Sequence, residues 1–150
     1  MSGRTRLNRW FCIIAIVIGA LMVIAGIATW VTVSKTLSDQ KITVSADASC
    51  MAGNAVNGPI SAYCQADVIN HHALEATGGK TYAELAQDDP TRTTAMTASF
   101  LQASLYTSVV AFGVALMAVG VGLVFILLGL AVLHLSASPK YQPVEVPADA

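Results

Sequence analysis

Residues 10–31 read WFCIIAIVIGALMVIAGIATWV, and no Lys, Arg, Asp or Glu interrupts the chain between Arg9 and Lys35. Trp10 and Trp30 are 20 residues apart, about 30 Å along a helix. That is the thickness of bilayer hydrocarbon, and Trp concentrates at its two edges. A signal-peptide core is shorter, about 7–15 residues. The run therefore predicts a retained transmembrane helix over 11–33. A cleaved leader ending near Gly26 and Ala28 is the alternative.

A second run answers the first. No Lys, Arg, Asp or Glu occurs between Arg92 and Lys140, and Val109–Leu135 is almost wholly apolar over 27 residues. As helix that is about 40 Å. It predicts a second membrane helix over 107–135, with Tyr106 near one interface and His134 near the other. The composition agrees. Of 150 residues, 55% are hydrophobic and 11% charged, with a net charge of −1. Soluble domains average about 25% charged residues. An ordinary soluble domain, a disordered chain and a nucleic-acid binder are excluded, the last because no basic field exists to hold phosphates. The expected partner is the lipid bilayer. Neither run carries an ionisable Asp, Glu, Lys or Arg of the kind that marks ion paths and proton relays, which argues against a pump or transporter.

The flanks predict orientation. The N-terminal tail, 1–10, holds Arg4, Arg6 and Arg9 and no acid. The segment between the runs holds Lys35, Lys41, Lys80 and Arg92 against seven acids. The positive-inside rule then puts both termini in the cytoplasm and residues 34–106 outside a bacterial plasma membrane. Cys50 and Cys64 both fall in that outer segment, where an oxidising compartment permits a bridge. Two free thiols are the alternative. Cys12 lies in the first run. The tail 136–150, with Lys140, Tyr141 and three prolines, reads as disordered.

Within the outer segment, Lys41–Ser45 alternates weakly and suggests a short strand. Ser61 is placed to cap a helix over about 62–76, ended by Gly78-Gly79. Tyr63, Ala66, Ile69, Ala73 and Ala76 form its expected packing face. Thr81 and Glu84 have capping-box spacing and suggest a further short helix to about Gln87. Asp89-Pro90 is a helix-start signal. With no Pro until Pro139, one helix is expected from about Pro90 to Leu135. Its outer part would form a stalk, with Met96, Phe100 and Leu101 covered by the 42–87 segment.

Small residues recur at close-packing intervals: Gly19 with Gly26, Gly113 with Gly120, and Gly122 with Gly129, each seven apart. Such spacing lets helix backbones approach, within the chain or against another membrane protein or a second copy. Candidate chemistry is limited to the outer histidines. His71, His72 and Glu75 are the weak candidates for metal ligation. Asp67, His71 and Glu75 share one helix side but extend over about 12 Å, too far for all to reach one ion. A solvated face with i, i+4 pairs is the simpler reading. No phosphate loop, dinucleotide fingerprint or nucleophile elbow is present. No catalytic residue and no cofactor is expected.

Four stretches carry a family likeness: Ile42–Ser45 with Cys50, Gly58–Gln65, His72–Leu85 and Thr94–Leu101. Through them the chain resembles a family of small two-span membrane proteins from actinobacteria, often labelled "aromatic ring-opening dioxygenase". The resemblance covers about Lys41 to Gly122. It implies the hairpin topology and the cysteine pair, and it supplies no catalytic residues. Its label implies a metal-dependent ring-opening enzyme. The expectation is thus an all-α membrane protein, a two-helix transmembrane hairpin with a small, mainly helical, disulfide-bonded extracytoplasmic loop domain. Its expected role is a non-enzymatic accessory or scaffold subunit of a cell-envelope or respiratory membrane complex. The alternatives are an extracytoplasmic sensor or binding module using the His71/His72 helix, and the metal-dependent dioxygenase.

Overall fold

The computed structural model describes the backbone of residues 2–137 and the side chains of residues 9–135. Expectations for Lys140, Tyr141 and the rest of the C-terminal tail beyond Ala137, and for the side chains of Arg4 and Arg6, lie outside the described residues. Three helices occur among the described residues: α1 over Ser2–Asp39, α2 over Pro59–Ala76 and α3 over Arg92–Ala137. α1 and α3 are both long and apolar enough to cross a membrane. Helix begins at Ser2, within the stretch read as a tail, and α1 continues six residues beyond 33.

The chain forms two compact units. One comprises Ile24–Val119, the other Met1–Val23 with Gly120–Ala150. In the second unit α1 and α3 run antiparallel, with Cys12 beside Gly129 and Gly19 beside Gly122. A Cβ on Gly19 would lie 2.5 Å from the Gly122 carbonyl oxygen. In the first unit Gly26 plays the same part, its absent Cβ 2.7 Å from the Ala115 carbonyl oxygen. One turn on, Trp30 and Phe112 meet edge-on at 4.7 Å. Covered positions along α1 include Cys12, Ile16, Gly19, Val23, Gly26, Val33 and Leu37. Along α3 they include Ala98, Leu105, Phe112, Ala115, Gly122 and Gly129. Intervals of three, four and seven are those of a left-handed coiled-coil seam. Gly113 and Gly120, which share the seven-residue spacing, open onto empty space. Being 3.5 to a turn on average, a seam admits one glycine row and leaves the other outside.

The larger unit also holds a small core. α1 ends where Lys41 turns left-handed, at φ 53°. Residues 42–44 then pair with 53–56, through Val44 N–H to the Asn54 carbonyl at 2.8 Å and Val56 N–H to the Ile42 carbonyl at 2.9 Å. The short strand expected at Lys41–Ser45 reduces to one antiparallel bridge, Thr43 with Ala55. Val44 and Val56 point inward beside Ala62, Cys64 and Ala66 of α2, and Leu37, Leu105 and Phe112 complete the cluster. Cys50 and Cys64 are disulfide-bonded, with Cα atoms 5.7 Å apart. Cys12 is free and buried. Gln65, also buried, accepts the Ser45 N–H at 3.0 Å and so ties the ribbon to α2 a second time.

Helix ends depart from the sequence reading in three places. α2 starts at Pro59, with Gly58 as N-cap. Ser61 is its third residue, and its hydroxyl accepts the Gly58 N–H at 3.2 Å. Proline at the first helical position needs no amide partner, which is why the helix begins ahead of Ser61. Its other end is as expected. Gly79 N–H reaches the Leu74 carbonyl at 2.7 Å and Gly78 N–H the Glu75 carbonyl, a Schellman pair that needs left-handed residues. Gly78 and Gly79 supply φ of 64° and 83°. The segment after it is a turn, not the helix expected over 81–87. Glu84 does accept the Thr81 N–H at 2.8 Å, but a single such bond cannot offset helix nucleation over so few residues. α3 begins at Arg92. Asp89 accepts the Thr91 N–H at 2.8 Å, so its carboxylate shapes a turn ahead of the helix.

Packing faces shift as well. Tyr63 and Ala76 are exposed, and α2 is covered instead along Ala62, Gln65, Ala66, Ile69 and Ala73. Met96, Phe100 and Leu101 are exposed too, Phe100 by 68%, while Ala95, Ala98 and Leu105 are buried. Phe100 stands about 200° around the helix from Ala98, so covering one exposes the other. The segment 82–85 reaches α3 elsewhere. The Arg92 guanidinium donates to the Leu85 carbonyl at 2.5 Å and lies 4.2 Å over the Tyr82 ring.

Two outcomes follow for stability in detergent micelles. Gly26→Ala should destabilise the protein by about 1–3 kcal/mol through overpacking, and Gly113→Ala should not, as read by thermal unfolding. Cys50→Ser should destabilise the small core by about 2–4 kcal/mol, read as a lower denaturant midpoint for loss of α2.

Candidate functional site

α2 and the first turns of α3 border an open groove of about 510 Å³. Ile69, His72 and Ala73 form one wall, and Thr93, Thr97 and Leu101 face them. The groove exists because small residues sit where the helices separate. Ala73 and Ala98, both small, line it and leave the space between the helices open.

His72 is the polar group of the α2 wall. Its Nε2 lies 2.5 Å from Asp47 Oδ2, a residue 25 positions earlier in the loop that carries Cys50. Both side chains are about half exposed, 46% and 58%. The hydrogen bond from His72 is the main reason that the Asp47 carboxyl is held below the ordinary aspartate value, with a backbone N–H in its own loop adding to the effect. With Nε2 committed to Asp47, the imidazole has Nδ1 left for a further hydrogen bond. His71 makes a different pair, with Glu75 at 3.2 Å on the same helix. The two imidazoles are 6.3 Å apart, centre to centre.

His71, His72 and Glu75, the weak metal candidates, are therefore divided between two separate pairs. Adjacent residues on a helix point about 100° apart, and each imidazole turns to its own carboxylate. No group of three His, Cys, Asp or Glu side chains able to hold a metal ion occurs among the described residues. What the arrangement offers is a shallow, mostly apolar trough with one oriented imidazole and threonine hydroxyls. Sequence reasoning missed Asp47 as the partner of His72, and no local signal marks it. Comparison of the chain with protein-family models, curated proteins and solved structures gives no match.

A depressed carboxylate value fixes the sign of the pH response. The tie between Asp47 and His72 contributes at pH values above the ordinary aspartate value near 3.8 and is lost as pH falls through the lowered one. Carbon-detected NMR should find Asp47 titrating below the ordinary aspartate value, and His72→Ala should return it towards that value.

Proposed function

We propose that this chain is a non-enzymatic integral membrane protein: a two-helix hairpin that displays a small disulfide-bonded domain on the outer side of a bacterial plasma membrane. One observation carries the reading. Large apolar side chains are exposed around α1 and α3 away from their shared seam, among them Trp10, Ile14, Leu21, Ile24, Val114 and Leu127. Contiguous apolar surface on that scale would drive aggregation in water, and lipid is the solvent that suits it. Satisfying every backbone group within the two helices is the other requirement of that solvent. Orientation rests on charge and redox chemistry. Arginines occupy the first turns of α1, ahead of its apolar run, acids gather in the segment between the spans, and the disulfide there fits an oxidising compartment.

Its role on this reading is that of an accessory or scaffold subunit in a cell-envelope or respiratory membrane complex. Gly113 and Gly120 support it, since they leave a small-residue surface on the outward side of α3 of the kind that lets a further helix approach. The groove favours a second reading, an extracytoplasmic binding or sensor module in which His72 contacts a small ligand.

A reporter fused after Ala150 should behave as cytoplasmic, and one inserted between Gly78 and Gly79 as external. The reverse pattern would overturn the orientation. Purification in mild detergent separates the two roles. A stoichiometric membrane partner supports the accessory role. A chain that purifies alone, with a ligand lost on His72→Ala, supports the binding role.

A further inference from the structure

We infer that the first turns of α2 rest in the outer headgroup layer of the bilayer, with Ile60, Tyr63 and Tyr106 as the lipid-contacting side chains. The inference deepens the membrane reading above and rests on it. Its first ground is a change of polarity along one side of α2. At the N-terminal end that side presents Ile60 and Tyr63, exposed by 66% and 52%. Beyond them the exposed residues are Asp67, Asn70, His71 and Glu75. A surface helix lying wholly in water has no reason to sort its exposed side by position along the axis. A helix that leaves a membrane does.

Level is the second ground. Trp30 meets Phe112 edge-on, and a Trp at such a position marks the edge of the hydrocarbon. Ser34, one turn further along α1, donates its hydroxyl to the Asn57 carbonyl at 2.7 Å. The residues that begin α2 are thereby held about 6 Å beyond Trp30. Tyr106 precedes Phe112 by six residues, about 9 Å of helix, and its ring lies 6.0 Å from that of Tyr63. A headgroup layer extends about 5–8 Å past the hydrocarbon, so the start of α2 falls within it and the two tyrosines at its outer margin. The opposite end of α2 lies far above. Ala73 shares the groove with Thr93 and Thr97, which are 15 to 19 residues from Phe112, or about 22–28 Å.

Chemistry is the third. Tyrosine joins an apolar ring to a hydroxyl that can reach phosphate or water, the combination that suits an interface. Ile60 supplies apolar area without a polar tip. Asp67, one turn beyond Tyr63, sets the upper limit of insertion, because a carboxylate stays in water.

Spin labels test the inference on the full chain in vesicles of phosphatidylcholine and phosphatidylglycerol. In a Cys12→Ser background that retains the Cys50–Cys64 bridge, nitroxides are placed singly through Ile60→Cys, His71→Cys, Glu75→Cys and Val114→Cys. Mass spectrometry confirms the bridge in each. Oxygen, which partitions into lipid, should relax the label at 60 and 114 more than a water-soluble nickel chelate does, and the order should invert at 71 and 75. A label at 60 as open to nickel as the one at 75 overturns the inference, and if 114 still reads as lipid the membrane reading survives it. A label at 60 closed to both relaxants means that protein covers the site and overturns the inference as well. Nickel access at 114 would overturn the membrane reading itself.

Discussion

A Cβ at Gly19 would meet the Gly122 carbonyl at 2.5 Å, and one at Gly26 the Ala115 carbonyl at 2.7 Å. Backbone contact of this kind is what holds two helices together when both are apolar on every side. In hydrocarbon there is no water to expel, so association depends on dispersion across a close interface and on little else. Dispersion falls steeply with distance; a seam lined by Leu would keep the backbones apart. Small residues stand where the backbones come closest, and Leu21, Ile24 and Leu127 lie on the exposed sides of the helices.

The small domain depends on the same pair. Its ribbon and α2 bring Val44, Val56, Ala62, Cys64 and Ala66 to the core, too few large side chains to support a domain alone. Leu37 from α1 and Leu105 and Phe112 from α3 complete it. The disulfide then reduces the freedom of the unfolded segment, and Gln65 adds a buried hydrogen bond between the same two parts. A core borrowed from the long helices explains why the compact unit runs from Ile24 to Val119, wider than the loop 34–106.

Some features were open to reading because their cause is local. The length and apolarity of α1 and α3 need no partner to recognise. Gly78-Gly79 announces a helix end through backbone conformation alone. The disulfide was foreseeable because a segment with two cysteines offers one pairing. Other features were not. Ser61 looked like a cap until Pro59 moved the helix start, and Thr81 with Glu84 formed the bond that their spacing suggested without the helix. Met96 and Phe100 share one stripe of α3 with Leu101 beside it, whereas coverage of α3 follows the side on which Ala98 and Leu105 lie. On a helix apolar all round, no period in the sequence separates the covered side from the open one.

The glycines show the boundary most clearly. Sequence alone determined that α1 and α3 are long apolar helices joined by a small disulfide-bonded segment, and that glycines recur in them every seven residues. Which glycine row packs was decided only by tertiary structure. Gly122 and Gly129 meet α1, while Gly113 and Gly120, identically spaced, do not. The same holds for Asp47 and His72, 25 residues apart. Spacing along a helix is a one-dimensional property and fixes which residues share a side. It does not say which side another helix will approach, because that choice depends on the fit of two surfaces at once.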